Sequence, residues 1–345
     1  MQTEELKRYN RQIVLSEIGI EGQQKLKAAK VLVIGAGGLG CPVLQYLVAA
    51  GVGTIGIVDD DKVDITNLHR QILYSAADAG RNKAETAAEK LKALNPFVNF
   101  LAFTERLLKT NATAIISPFD IIIDGSDNFE TRYLVNDVCV ELDKPLVFGS
   151  IFGFEGQLSV LNYKNGPTYR CVFPEQGDAP NCAVNGVLGV LPGIIGTYMA
   201  NEALKLILEI GETLSGKLLV MNVLENSFHS FKVSRVIPVK ATTEQKAELS
   251  KSDKTEDNFQ ISKEALEDLL ENQSESLFLI DVREPNEFEA DNLGGINIPL
   301  SEVADEITSL PSDKTIVLYC NTGRRSKQAF DLIKAGGFEG VVYWA

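Results

Sequence analysis

"VLVIGAGGLG" (Val31–Gly40) is a run of apolar residues that ends in glycines and is followed directly by "CPVLQYLVAAG". The first half reads as a buried strand, the glycines as a tight turn, and the second stretch as a helix. "TIGIVDDD" repeats the strand pattern, "NKAETAAEKLKALNP" is amphipathic at helical spacing, and "FDIIIDGSD" and "PLVFGS" are further strands. Continuous apolar strands alternating with helices predict an α/β fold, a Rossmann-like doubly wound sheet. Gly35, Gly37 and Gly40 stand in a G-x-G-x-x-G frame between strand and helix. They permit close backbone approach, and the helix N-terminus offers amides to phosphate. Asp59, at the end of the next strand, can accept bonds from ribose hydroxyls. Alone, this pattern fits an adenine nucleotide site or a glycine-rich packing turn.

Beyond Gly153 the texture changes to antiparallel strands, "GQLSVLNY" and the long hairpin "GKLLVMNVLENSFHSFKVSRV", which make the sheet mixed. "KATTEQKAELSKSDKTEDN" (Lys240–Asn258) is polar and nearly free of large apolar residues, as linkers are. A fresh pattern follows: helix "SKEALEDLLEN", strands "LFLIDV" and "TIVLYC", helix "RRSKQAFDLIKAGG" and strand "GVVYW". The expected organisation is a nucleotide domain over 1–240, a linker over 241–258 and a small α/β domain over 259–345.

With 345 residues, 45% hydrophobic and 23% charged, the chain has the composition of a globular protein. A net charge of -14 argues against a nucleic-acid partner, which requires a basic face. Five cysteines, an odd number thinly spread, fit a reducing cytoplasm better than a disulfide framework. The start "MQTEELKRYNRQIVL" has no signal-peptide apolar core. "GVLGVLPGIIGTYMANEALKLILEI" is interrupted by Pro192, Asn201, Glu202 and Lys205, so it is expected to be a buried helix and not a membrane span.

Basic groups cluster after the strand ends. "DKVDITNLHRQ" carries Asn67 and Arg70, and Lys83 opens the next helix. Converging cations suit a triphosphate, whose leaving group gains charge, better than the pyrophosphate of a dinucleotide. Asp127, in "DGSDN" at the carboxyl edge of the sheet, can hold magnesium. Taken singly, each of these charges also fits a solvated surface group. An NAD-dependent oxidoreductase shares the glycine motif but lacks an evident proton-transfer histidine, since His69 falls in the basic segment and His229 in a hairpin strand.

"RYNRQI", "GAGGLGCP", "DDDKVDITNLHRQ", "RNKAE" and "SDN", in that order between Arg8 and Val236, closely resemble the ubiquitin-activating-like adenylyltransferases of the MoeB/ThiF type. These enzymes use ATP to adenylate the C-terminal glycine of a small ubiquitin-fold sulfur carrier. The resemblance implies ATP contacts at Gly38, Asp59, Lys83, Asp127, Asn128 and the segment Thr66, Asn67, Leu68, His69 and Arg70. It also implies magnesium on Asp127, and a homodimer in which Arg11 reaches the neighbouring subunit's ATP. Carriers of this kind serve molybdopterin, thiamine and cysteine synthesis and tRNA thiolation.

"LYCNTGRRS" puts Cys320 directly after a strand, with Arg324 and Arg325 opening a helix. Loop amides, a helix N-terminus and two cations lower a thiol pKa and stabilise anionic sulfur; a buried structural cysteine is the alternative. The segment resembles the rhodanese family, both in the loop from Cys320 to Arg325 and in "DVREPNEF". The resemblance implies a persulfide on Cys320, loaded by a cysteine desulfurase or thiosulfate, which attacks the carrier adenylate so that the carrier ends in a thiocarboxylate. Two departures from that family stand out. Asn292 replaces its usual histidine, and the sequence ends at "VVYWA", short of the segment usual there, so packing at that end is expected to be reduced.

"TYRCVFPEQGDAPNC" (Thr168–Cys182) holds two further cysteines. Relatives of the MoeB/ThiF type bind structural zinc through two C-x-x-C pairs. Here Thr168 occupies the first ligand position, only Cys171 remains, and "RVIPVKATTEQK" supplies no second pair, so zinc is not expected. "NCAVNG" matches the family's crossover-loop cysteine, which makes Cys182 a candidate to resolve the acyl persulfide; an apolar loop filler is the bland alternative. Two other functions fit the same residues: a sulfur-free activating enzyme that forms a carrier thioester on Cys182, and a non-catalytic nucleotide-binding scaffold.

Overall fold

The central strand β1 (Lys30–Ile34) is buried on both faces, with Val31 and Val33 in one apolar layer and Leu32 and Ile34 in the other. That period of two, in a strand with no polar interior residue, places β1 in the middle of a covered sheet. The computed structural model describes residues 1–174, 186–236, 259, 261, 266, 277–311, 314–321, 323–338 and 340–344. Cys182, the expected linker and nearly all of the helix expected over "SKEALEDLLEN" lie outside the described residues. The chain divides into two units, Met1–Ile237 and Pro238–Ala345.

In the first unit, α1 (Thr3–Ile13) and α2 (Gly19–Ala28) precede β1, followed by α3 (Gly40–Ala50), β2 (Thr54–Val58), α4 (Lys83–Leu94) and β3 (Asn99–Phe103). Then come α5 (Ala112–Ile116), β4 (Ile121–Asp124), α6 (Phe129–Glu141), β5 (Leu146–Phe152), β6 (Glu155–Leu161) and the short α7 (Tyr169–Val172). The buried helix α8 (Val190–Leu208), β7 (Lys217–Asn222) and β8 (Ser227–Lys232) complete it. The eight strands run in the order β3-β2-β1-β4-β5-β6-β7-β8. They are parallel from β3 to β5 and antiparallel from β5 to β8. This is the doubly wound sheet with an antiparallel extension; β3, with no buried residue, is the strand the apolar pattern did not reveal.

Strand order reverses between β1 and β4, where ligands of such sheets bind. Register aligns Ile34 with both Val58 and Asp124, so three strands end together there. Among the described residues no helix is long and apolar enough to cross a membrane.

The second unit has a parallel sheet ordered β10-β9-β11-β12. Its elements are β9 (Leu277–Asp281), α9 (Pro285–Ala290), β10 (Ile296–Asn297), α10 (Val303–Glu306), β11 (Thr315–Tyr319), α11 (Arg324–Ala335) and β12 (Val342–Trp344). Alternation again splits the core: Ile316 and Leu318 pack with Ile280 and Ile333, Val317 and Tyr319 with Leu277 and Leu279. The pairing of Tyr319 with Asp281 brings the ends of β11 and β9 side by side, just before Cys320 and Arg283.

Candidate active sites

A cavity of about 690 Å³ opens at the strand reversal of the first unit. Its lining includes Gly35, Gly37, Gly38, Asp59, Thr66, Asn67, His69, Arg70, Lys83, Asp127 and Asn128, all singled out from sequence. Gly35 turns the chain at φ +88, and a Cβ there would lie 3.0 Å from the Gly125 carbonyl oxygen, so the turn requires glycine. Gly40 plays a different part from the one expected. It does not line the cavity; a Cβ on it would fall 1.9 Å from the Gly35 carbonyl oxygen, so its role is to let α3 pack against its own turn.

Asp59 is held at both oxygens, by the Ala36 N–H at 2.7 Å and the Asp61 N–H at 2.9 Å. Burial pushes its pKa above the usual carboxylate range, and the Lys83 charge and the two N–H groups pull it only part of the way back. Asn82 caps α4 by accepting from the Glu85 N–H, and this sets Lys83 as the first helical residue. Lys83 is buried, and its Nζ pairs at 2.8 Å with Asp61, whose side chain is 70% exposed. Arg70 donates to Asn67 Oδ1 at 2.7 Å and lies 3.3 Å from His69 Nε2, while His69 Nδ1 lies 3.0 Å from the Thr66 carbonyl. The same short turn packs the partly buried Leu68 against the core, so Leu68 is a packing residue and not a lining one. Asn128 caps α6 through the Thr131 N–H at 2.9 Å, and exposed Asp127 precedes it at the cavity. Arg11 sits exposed in the last turn of α1, outside this cavity's lining.

Gln71, Arg132 and Arg106 are among the lining groups that sequence reasoning missed. Gln71 lines the cavity and is 4% exposed, and its buried Oε1 has no hydrogen-bond partner among the described residues. Arg132 donates to the Ser126 carbonyl at 2.9 Å, stacks over Phe148 and leaves its Nε buried without a partner. It lies one turn beyond the Asn128 cap, a spacing that a helix-face argument could have found. Arg106 adds another cation, paired with Glu130 at 3.2 Å. The glycine turn and several cations fit a nucleoside triphosphate. The three carboxylates that gather closely enough for a cation among the described residues are Asp59, Asp60 and Asp61; Asp127 is not among them.

Four of the five cysteines are described. Cys41 and Cys139 are buried, and burial pushes the Cys41 thiol up to about 12, so both are packing residues. Cys171 Sγ receives the N–H groups of Thr168 and Val236, each at 3.3 Å. Burial alone would raise its pKa, but the Thr168 hydroxyl, 3.3 Å from the sulfur, and these N–H groups hold it below the usual thiol value. They join α7 to the chain leaving β8.

In the second unit Cys320 follows β11, Gly323 turns the chain at φ +79, and α11 begins at Arg324, whose side chain lies outside the described set. Arg325 interacts electrostatically with the Cys320 sulfur, as expected, but it is not a free cation. Glu287, on α9, grips it with both oxygens at 2.6 and 2.9 Å. The Arg325 hydrogen bonds hold the Glu287 carboxyl down to about 2. Arg283 is buried against Asp281, and it donates to Asn321 in the loop at 2.7 Å and to the Asp291 carbonyl at 2.6 Å. "DVREPNEF" is therefore the brace of the Cys320 loop. Asn292 closes a local turn, donating to the Phe288 carbonyl and accepting the Gly294 N–H. Ser326, fully buried, lies 3.5 Å from Cys320 Sγ.

Known proteins are similar to this chain. The Thermus thermophilus "Sulfur carrier protein adenylyltransferase" is 53% identical over 240 residues, which is 67% of this chain and 89% of that one. The "Probable adenylyltransferase/sulfurtransferase MoeZ" of Mycobacterium tuberculosis is 42% identical across 99% of this chain and 93% of its own. A crystal structure of E. coli MccB with ATP matches with a TM-score of 0.59 at 26% identity, covering 67% of this chain and 73% of that one. The ThiF family matches residues 9–238 and the rhodanese-like domain residues 262–344. The chain belongs to the ThiF family and carries a rhodanese-like domain behind the ThiF region.

Proposed function

We propose that this protein adenylates the C-terminal carboxylate of a ubiquitin-like sulfur carrier ending in Gly-Gly, then converts it to a thiocarboxylate with sulfur from a Cys320 persulfide. The observation that carries the first half is the single cavity that collects the glycine turn, Asp59, Asn67, Arg70 and the buried Lys83 at the strand reversal. The carrier carboxylate attacks the α-phosphorus of ATP and pyrophosphate leaves, so the carrier ends in an acyl adenylate. No protein nucleophile is needed; Arg70 and Lys83 orient the phosphates and offset the charge gathering on the leaving group. Asp127 is the residue proposed to hold the magnesium that accompanies ATP, which when bound neutralises phosphate charge. Arg11 is proposed to complete the site of a second copy in a homodimer.

The braced loop after β11 supports the second half. A persulfide anion on Cys320 attacks the adenylate carbonyl, AMP leaves, and the carrier is held as an acyl persulfide. A second thiol, for which Cys182 is the candidate, attacks Cys320 sulfur; the carrier departs as a thiocarboxylate, and the Cys182–Cys320 disulfide is reset by a dithiol reductant. The persulfide comes from a cysteine desulfurase or thiosulfate, and the working compartment is the reducing cytoplasm. Carriers of molybdopterin or thiamine synthesis are the substrate class in view.

The test is to incubate the protein with ATP, magnesium, thiosulfate, a dithiol and a diglycine-ended carrier, and then to weigh the carrier. A gain equal to one oxygen-for-sulfur exchange is expected, and it should vanish in Cys320→Ala. No gain in the wild type overturns the sulfur half, and full product from Cys320→Ala reassigns the chemistry away from this loop. Carrier-dependent ATP–pyrophosphate exchange separately distinguishes an enzyme from a nucleotide-binding scaffold.

A further inference from the structure

We infer that Ser326 is the positioning residue that makes Cys320 ionisable, by turning its hydroxyl from a loop carbonyl onto the sulfur; this rests on the sulfur half of the proposed function. Ser326 is the third residue of α11 and 0% exposed. Its hydroxyl donates to the Gly323 carbonyl at 2.9 Å, and its oxygen lies 3.5 Å from Cys320 Sγ. A serine hydroxyl has one proton and two acceptor lone pairs. With Cys320 as a thiol, S–H donates to Ser326 and the hydroxyl donates to Gly323. With Cys320 as a thiolate, the same hydroxyl rotates and donates to sulfur, because an anion is the stronger acceptor. The rotation moves one hydrogen and no heavy atom.

The charges around the loop leave work for such a donor. Arg325, on α11, is engaged by both oxygens of Glu287, from α9. Arg283, at the end of β9, is bound to Asp281 and to Asn321. Tyr319, the last residue of β11, uses its hydroxyl on the Leu293 N–H and the Gly294 carbonyl. Each described cation of the loop thus has a carboxylate of its own beside it; Arg325 still interacts with the Cys320 sulfur through charge, and Ser326 adds a hydrogen bond at contact distance to that field. A thiolate formed here attacks the outer sulfur of thiosulfate; the new S–S bond forms as the old one breaks, and sulfite leaves with the electron pair. Sulfur uptake therefore follows the thiolate fraction.

The experiment compares the full-length wild type with Ser326→Ala, which removes one oxygen, and Ser326→Thr, which keeps the hydroxyl. Alkylation of Cys320 by iodoacetamide is followed across pH, with the site read by peptide mass spectrometry so that other thiols do not count. Loss of a hydrogen bond to an anion is expected to raise the midpoint by about one pH unit in Ser326→Ala, a roughly tenfold lower thiolate fraction below it. The plateau rate at high pH should stay the same, and Ser326→Thr should titrate with the wild type. An unmoved midpoint in Ser326→Ala, a plateau that falls with it, or a threonine variant that titrates with alanine would overturn the inference. Persulfide loading of the wild type by thiosulfate is scored separately. Its failure counts against the sulfur half of the proposed function, while the alkylation profile still decides the role of Ser326.

Discussion

Lys83 offers the most direct separation of chemistry from packing in the first unit. Its ammonium is buried and pairs with Asp61 at 2.8 Å, yet that partner is 70% exposed. If Lys83 existed to form this ion pair, removing either partner would have the same effect. An exposed carboxylate is well screened, so the pair itself is worth about 0.2–1 kcal/mol, and Asp61→Asn should change carrier-dependent ATP–pyrophosphate exchange by less than about fivefold. A cation that meets charge building on a leaving group is worth far more. Lys83→Met, which keeps the apolar stem, should lower exchange about 10²- to 10³-fold, the loss typical for one preorganised electrostatic contact. The double variant should track Lys83→Met. Equal losses for Lys83→Met and Asp61→Asn, or a Lys83→Met enzyme within tenfold of wild type, would refute this assignment.

Three further outcomes can be checked on the same protein. Gly40→Ala drives a Cβ to 1.9 Å from the Gly35 carbonyl oxygen and should cost more than about 3 kcal/mol in denaturant unfolding, whereas Gly38→Ala meets the Pro192 side chain at 3.2 Å and the Arg70 side chain at 3.6 Å and should weaken ATP binding about tenfold while the fold stays within about 1 kcal/mol. Gln71→Leu removes a buried, unpartnered acceptor, so the ligand-free melting temperature should hold or rise while calorimetry shows weaker ATP binding. Glu287 has its pKa lowered to about 2, chiefly by hydrogen bonds from Arg325, so its stabilisation is complete above the ordinary value of 4.5 and disappears as pH falls toward 2. Discounted for a pair about one-third exposed, that is about 1 kcal/mol. Unfolding followed through Trp344, the single tryptophan, should show Glu287→Gln less stable at pH 7, with the gap closing below pH 4.5.

Periodicity made the sheet legible because β1, β2 and β4 are apolar on both faces, and only central strands of a covered sheet can be so. It failed on β3, whose exposed residues carry no such mark. Motifs located the cavity but could not divide labour within them. In "TNLHR" the five residues are contiguous, and only the fold shows that a short turn faces Asn67, His69 and Arg70 to the cavity while Leu68 packs inward. The glycine frame likewise merges Gly37 and Gly38, which line the cavity, with Gly40, which packs. The engagement of Arg325 by Glu287 was out of reach for a different reason. It joins residues 38 positions apart, and local reading of "GRRS" saw only the cations.

The two units hold their key cations in opposite ways, and the difference bears on function. Lys83 is buried at its charged end while its partner stands in water, so a phosphate oxygen can replace Asp61 and the displaced carboxylate is simply solvated. Arg325 is held by two oxygens of a half-buried glutamate, in the fork geometry that fixes a guanidinium most firmly. Displacing Glu287 would forfeit the Arg325 hydrogen bonds that hold its carboxyl down to about 2. The first arrangement is open to exchange with an incoming anion; the second is committed to shaping its loop. A nucleotide carrying several charges belongs with the first; a single sulfur anion, within the field of Arg325 and beside the Ser326 hydroxyl, belongs with the second.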